Sequence, residues 1–397
     1  MKSAILSFLA LITISISFAQ NSTPTKPDTS FKAGGQIWAN AFGDYYYKSH
    51  TDALNRGGAN QYTNIEKGRN AFQFRRIYLG YNYNITSKFS AELLLSSEDN
   101  IVTASGTTSG DLLSDNKLAF YIKLMNVRWK NIWKGTDLLV GQCSTPAFPL
   151  LTEQIWGYRS IERTVSDIRR TPSFDLGASL QGRLDPGTDN YGYNLMVGNG
   201  STARPENDKF KWFYGDVWAK FLNKKLIFDL YADYERLNWT TTLHHSRSMV
   251  KGFVAYTTPK ITVGVEAFIN HGKQDVVGIT NAHADTIDAN AQALSAYVRG
   301  TILKDKLAFF ARVDKYDPNV NYLQSYNSYK GLTSTYEPNN KETFITAGLD
   351  FTPIKNVHFM PNIWYDQYRS KQASANPLTS EDHDLVYRVT FYYSFGR

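Results

Sequence analysis

Residues 384–396 read DLVYRVTFYYSFG. Leu385, Tyr387, Val389, Phe391, Tyr393 and Phe395 fall on one side of an extended chain, and Val386, Arg388, Thr390, Tyr392 and Ser394 on the other. The first face is apolar and aromatic and the second mostly polar, as in a strand with lipid on one side and water on the other. The same two-residue period recurs upstream. Leu226, Phe228, Leu230, Ala232 and Tyr234 alternate with Ile227, Asp229, Tyr231, Asp233 and Glu235, and Ile261, Val263, Val265, Ala267 and Ile269 alternate with Thr262, Gly264, Glu266, Phe268 and Asn270.

Carried along the chain, this pattern predicts sixteen strands, at about 33–46, 71–84, 88–98, 117–130, 136–143, 174–183, 191–198, 210–221, 225–236, 249–257, 260–270, 291–302, 306–314, 342–351, 356–369 and 384–396. Every second connection is short: 85–87, 131–135, 184–190, 222–224, 258–259, 303–305 and 352–355. The others, 47–70, 99–116, 144–173, 199–209, 237–248, 271–290, 315–341 and 370–383, are longer and rich in Gly, Asn, Ser and Asp. An even strand number with alternating short turns and long loops specifies an all-β fold, a transmembrane antiparallel β-barrel with short periplasmic turns and long extracellular loops. Sixteen strands enclose more space than side chains fill, so a water-filled lumen is expected.

Composition agrees. Hydrophobic residues make up 42% and aromatics 14%, with 26 Tyr, 23 Phe and 8 Trp, a mix too polar for a helical membrane protein and too aromatic for an average soluble one. Lys2, the apolar run from Ala4 to Ile16 and Ser17-Phe18-Ala19 form a signal peptide over residues 1–19. A Pro/Thr/Ser/Asn-rich leader at 20–32 and a single barrel domain at 33–397 follow, placed in the bacterial outer membrane with its lipid as partner. The one cysteine, Cys143, allows no intrachain disulfide. The net charge of +7 is modest; in a barrel the charges facing the lumen matter, and no nucleic-acid partner is expected.

The stretch FQFRRIYLGYNYNITSKFSAELLLSSED carries Arg75, Arg76, Leu79, Gly80 and Glu92, and LVGQCSTPAFPL carries Gly141, Gln142 and Pro146. Glu162-Arg163, Asp175-x-Gly177 with Gly182, and Gly198-Asn199-Gly200 come next. In order and spacing, over about residues 70–200, these resemble the phosphate-selective porin O and P family. The resemblance implies a sixteen-stranded barrel, commonly a homotrimer, with a basic lumen that conducts anions.

Loop 144–173 is the candidate pore-constriction loop, with Arg159, Arg163, Arg169 and Arg170 beside Glu153, Glu162 and Asp167. Guanidinium groups carry permanent charge and planar donors that match phosphate or carboxylate oxygens. Equally, Glu162, Arg163 and Asp167 fit salt bridges that fasten the loop to the wall. Alternation also places Arg76, Arg183, Arg299, Arg312 and Arg388 on the inward face as pore-wall cations, because an arginine facing mid-membrane lipid costs ~2–4 kcal/mol. Glu92, Asp229, Glu235, Glu266 and Asp314 are their possible partners.

Tyr45, Tyr46, Tyr47, Trp212, Trp218, Trp364 and Tyr365 read chiefly as interfacial girdle. A sugar-stacking track is the alternative, with Phe148, Trp156 and Tyr158 of the loop as its best members. No Gly-x-Ser-x-Gly elbow, His-Glu-x-x-His or phosphate-binding Gly-Lys-Ser/Thr loop is present, and no catalytic residues, metal or cofactor are expected. His244-His245 falls in a polar loop, and His358 stands too far along its strand from Asp366 for a dyad. The reading is therefore a porin for passive diffusion of small hydrophilic solutes, preferring phosphate or other small anions. Alternatives are a sugar-preferring channel and a barrel serving as surface adhesin or structural anchor.

Overall fold

A computed structural model describes residues 31–396 apart from 59, 99–100, 103–107, 110–112, 115–116, 207, 240–242, 281–282, 322–327, 331–339 and 372–380. For 101–102, 108–109, 113–114, 117–118, 238–239, 276–280, 283–285, 287 and 328–330 it describes the backbone alone. The signal peptide and most of the leader lie outside the described residues.

Sixteen strands form the wall. They are β1 Gly34–His50, β2 Asn70–Asn84, β3 Phe89–Glu98, β4 Tyr121–Trp133, β5 Thr136–Ser144, β6 Phe174–Arg183, β7 Tyr191–Gly198 and β8 Trp212–Phe221. Then come β9 Leu226–Trp239, β10 His244–Thr257, β11 Ile261–Thr280, β12 His283–Leu303, β13 Leu307–Asp317, β14 Asn340–Ile354, β15 Val357–Ser370 and β16 Glu381–Phe395. Each pairs antiparallel with its sequence neighbours, and β1 pairs with both β2 and β16, so the sheet closes without an edge. Among the described residues, helix is confined to two single turns in the third long loop, α1 Thr152–Trp156 and α2 Val165–Arg169.

The outward face is the apolar one. Tyr387, Val389, Tyr393 and Phe395 are exposed on β16, while Val386, Arg388 and Thr390 are buried on its other side. On β11 the outward apolar run from Ile261 to Ile269 covers about 27 Å of strand, which at a barrel tilt of about 40° rises roughly 21 Å, most of an apolar band about 25 Å tall. The molecule is thus an outer-membrane β-barrel, lipid outside and polar groups inside.

Two β-bulges change the inward set. Between β1 and β2, Phe42 faces Arg76 and Gly43 faces Phe74, leaving Arg75 as an extra residue. Between β3 and β4, Leu94 faces Leu124 and Leu95 faces Ile122, leaving Lys123 extra. A bulge breaks strict alternation, so Arg75 and Arg76 are both buried inside, as are Lys123 and Leu124.

The loops expected at 237–248 and 271–290 are mostly strand. β9 and β10 pair as far as Trp239 and His244, and β11 and β12 as far as Thr280 and His283. Above the membrane both faces meet water, so the ladder continues with no apolar alternation to announce it. His244 and His245 consequently open β10, where His245 Nε2 lies 2.6 Å from Asp275 Oδ1. Three girdle candidates also face inward: Tyr46, Trp212 and Trp364 are buried, whereas Tyr45 and Tyr47 are exposed on the lipid side.

Candidate functional site

Loop 145–173 leaves β5, enters the barrel and returns to β6. Its apolar side chains dock first. Ala147, Phe148 and Val165 pack among Met196, Trp212, Tyr231 and Met249 on one side of the wall, and Trp156, Tyr158 and Ile161 pack against Phe253, Tyr297, Phe310 and Met360. Gly157, at φ 72°, ends α1 in the left-handed region and turns the chain, with Arg299 about 3.5 Å from where a Cβ would stand.

The loop's carbonyls point outward to the wall, and five wall cations donate to them. Arg299 Nε reaches Ile155 O at 3.0 Å, Arg312 Nη1 reaches Arg163 O at 2.5 Å, and Arg388 Nη2 reaches Ile161 O at 2.8 Å. Arg75 donates to Ser160 O and Lys251 to Ala147 O. Side chains add further ties. Arg169 pairs with Glu342, and Arg170 reaches Asp233 at 3.3 Å, Glu235 at 3.5 Å and Asn270 at 2.7 Å. Glu162 accepts from Trp364 Nε1 at 2.8 Å and from Gln61 Nε2 at 2.5 Å. Asp167 stays within the loop, sharing Arg159 with Glu153.

The four loop arginines therefore differ. Arg169 and Arg170 are enclosed by their partners, at 5% and 1% side-chain exposure. Arg159 and Arg163 keep 17% and 21%, and Arg163 Nε lies 3.9 Å from Glu162 Oε1. Burial alone would raise the Glu162 carboxyl, but Arg163, Arg388 and the Trp364 bond hold it below the usual range. Glu153 is pushed above that range by burial, with Asp167 adding to the shift and Arg159 opposing it.

On the wall, Arg312 is bound to Asp314, and Arg76 lies 3.3 Å from Glu98, which Lys123 shares. Arg183 sits at the short-turn rim, 60% exposed, 2.8 Å from Asp189. Sequence alternation missed Arg75 and Lys123. Adjacent Arg75 and Arg76 were the available signal, since regular pleating would drive one of them into lipid at ~2–4 kcal/mol.

The motif residues at 141–200 turn out to be joints. Gln142 Nε2 donates to Ile122 O and Lys123 O, 2.8 and 2.9 Å, sealing the bulge in β4. Gly141, at φ 124°, has no room for a Cβ beside Met125 O. Asp175 accepts from Gly200 N at 2.7 Å and Tyr214 OH at 2.9 Å, pinning the loop after β7.

A cavity of about 370 Å³ borders the loop, lined by Asn40, Tyr78, Tyr158, Arg159, Asp350, His358 and Tyr392 among others. His358 Nδ1 lies 2.8 Å from Asp350 Oδ1, a partner across the β14–β15 hairpin, and Asp350 also accepts from Tyr158 OH at 3.1 Å. Phe148 and Trp156 are fully buried, so of the three loop aromatics only Tyr158 meets this space. Possible metal ligands gather, among the described residues, at His50, Asp382 and His383 on the β1–β16 rim. The two imidazoles stack at 4.1 Å and 9°, which sets their lone pairs in parallel planes, not on one point.

No protein-family model matches the chain, and no curated protein matches its sequence. Solved structures do. The outer membrane channel DcaP of Acinetobacter baumannii matches with TM-score 0.62 and 10% identity over 94% of this chain and 100% of that one. An anion-selective porin from Comamonas acidovorans matches with TM-score 0.56 and 11% identity over 92% and 100%. Salmonella typhi OmpF, in complex with daunomycin, matches with TM-score 0.56 and 10% identity over 91% and 97%. At such identities the likeness is one of fold, and the fold is that of outer-membrane porins and channels.

Proposed function

We propose that this barrel is a passive porin for small hydrophilic solutes with a preference for anions such as phosphate or small carboxylates. Its chain would be exported by a signal peptide cut after Ala19 and, as the family resemblance suggests, would assemble as a trimer. The observation that carries the reading is the loop inside the barrel. With its backbone held by wall cations and Arg169 and Arg170 enclosed, Arg159 and Arg163 are the more exposed of the loop arginines. Positive charge there lowers the barrier for an anion. Outside the barrel, a name is suggestive too: one neighbour of the same fold is described as anion-selective.

Purified protein in planar bilayers under a salt gradient tests this. The expected result is discrete conductance steps with a reversal potential of anion sign, reduced or inverted by Arg159→Glu with Arg163→Glu. Cation sign in the native protein would overturn the preference.

The cavity beside Tyr158 favours a second reading. Tyr78, Tyr158 and Tyr392 with Asn40, Asp350 and His358 combine ring faces and hydrogen-bonding groups as a sugar requires. In that case a maltodextrin would block current reversibly and phosphate would not.

A further inference from the structure

The first long loop lies inside the barrel as well. Between β1 and β2, the described residues of 51–69 turn inward, and Tyr62 and Ile65, both fully buried, pack among Tyr46, Phe344, Trp364 and Val386. The loop is tied down on its own account. Lys48 Nζ donates to Tyr62 O at 2.6 Å and Thr51 Oγ1 to Ile65 O at 2.9 Å, and Asp52 and Arg56 form an enclosed pair at 2.7 Å. A stretch that reads as an external loop is built as a fixed inner one.

Two neutral side chains at its tip meet the third loop. Gln61 Oε1 accepts from Arg75 Nη1 at 3.1 Å, while its Nε2 donates to Glu162 Oε2 at 2.5 Å. Asn60 Oδ1 accepts from Arg169 Nη2 at 3.3 Å, while its Nδ2 donates to Tyr368 OH at 3.2 Å, Glu342 Oε2 at 3.3 Å and Asp366. In both amides the oxygen turns to a guanidinium and the nitrogen to a carboxylate, so the charged partners decide which end is which. A charged side chain could serve only one of the two. Tyr62 seats the same tip on the clamps of the third loop: its OH donates to Asp44 Oδ2 at 2.9 Å and accepts from Arg388 Nη1 at 3.3 Å. Arg388 also holds Ile161 O, and Arg75 holds Ser160 O. Trp364 touches both loops, edge-on to Tyr62 at 5.3 Å and donating to Glu162. We infer that the first loop positions the third, with Asn60 and Gln61 as positioning residues whose amides join loop to loop without adding charge to the lumen. This rests on the third loop as the constriction and makes that constriction a two-loop assembly.

Backbone hydrogen exchange of the full barrel in detergent tests this. The amides to follow are those of Ile161 and Glu162, which donate to Tyr158 O, with that of Glu153, which donates to Phe148 O, as the control within the same loop. Methionine fills much of glutamine's volume but has neither end of the amide. Gln61→Met should therefore speed exchange at Ile161 and Glu162 about tenfold, the loss of a hydrogen bond to a charged group. Gln61→Glu should speed it further, because it sets one carboxylate against another. Glu153 should keep its native rate in both, and the exposed Lys67→Gln on the first loop should change nothing. Native rates at Ile161 and Glu162 in Gln61→Met would overturn the proposal, by showing that packing alone holds the loop. So would an equal rise at Glu153, which would mean a general loosening. Should Gln61→Glu fail to assemble, Gln61→Met decides. Exchange is read without current, so absence of conductance would sink the porin reading and leave this result to stand by itself.

Discussion

Arg388 and Asp229 both lie on inward strand faces and are both buried, yet their surroundings differ in kind. Arg388 belongs to a wall running through β16, β1, β2 and β4, where Arg75, Arg76 and Lys123 are its companions. Each of these cations has a carboxylate, a loop carbonyl or a side-chain oxygen to donate to. Asp229 belongs to the facing wall of β8, β9 and β11, where Asp216, Asp229 and Glu266 gather around Lys251. The loop between them explains the contrast. Its carbonyls are free to accept from wall cations, whereas many of its N–H groups are spent on its own turns, as in Gly157 N to Glu153 O and Ile168 N to Thr164 O. Ser166 N, 3.2 Å from Glu266, is a donor it gives to the acidic wall. Arg75 and Arg388 on the first wall each take a loop carbonyl, Lys251 on the second takes another, and Arg170 gives its guanidinium to Asp233 and Glu235 on β9.

The largest expected effect comes from breaking that docking. Arg312→Met with Arg388→Met removes two carbonyl clamps and strands Asp314 in a buried site. Losing one partner of a buried pair costs about 3–5 kcal/mol, so the urea midpoint in lipid vesicles should fall clearly and the open-channel current should become noisy. An unchanged midpoint would show that apolar packing alone holds the loop.

Neutralising the other wall should alter selectivity as well as stability, because buried Lys251 loses its carboxylate and keeps the Ala147 carbonyl. Asp229→Asn with Glu266→Gln removes negative charge from the lumen, and the anion-to-cation permeability ratio should rise about two- to fivefold. A smaller change follows from pH. Glu153 is raised by burial, so as pH falls it protonates before an ordinary glutamate does. Arg159 then keeps Asp167 alone, and anion preference should increase, a response that Glu153→Gln should flatten. Glu162 shifts the other way. It keeps its charge below the ordinary range, so its ties to Trp364 and Gln61 should persist until the pH drops through its depressed pKa. The smallest effect belongs to Arg183→Gln, an exposed rim pair worth less than about 1 kcal/mol, which should leave both stability and reversal potential unmoved.

Much of the barrel was legible in the sequence because lipid imposes the alternation. β6 and β7 match their expected bounds, 174–183 and 191–198, to the residue. Legibility stopped where that constraint stops. Above the membrane, β11 and β12 run on through residues that read as loop. At the bulges, one added residue reverses the face of everything beyond it, which hid Arg75 and Lys123. Charge pairing was hidden for another reason: Arg170 meets Asp233 and Arg169 meets Glu342 only once the loop is inside the barrel, and no local pattern records that fold-back. Trp364 and Trp212 look like girdle until register turns them inward.

Selectivity at a constriction requires the third loop to lie beside the path of the ions. Arg163→Cys, in single channels, would be treated with a membrane-impermeant thiol-reactive sulfonate; native Cys143 is fully buried and should stay silent. A stepwise fall in current as each channel reacts is the expected result. Complete modification, verified by mass, with the current unchanged would contradict a constriction built on this loop.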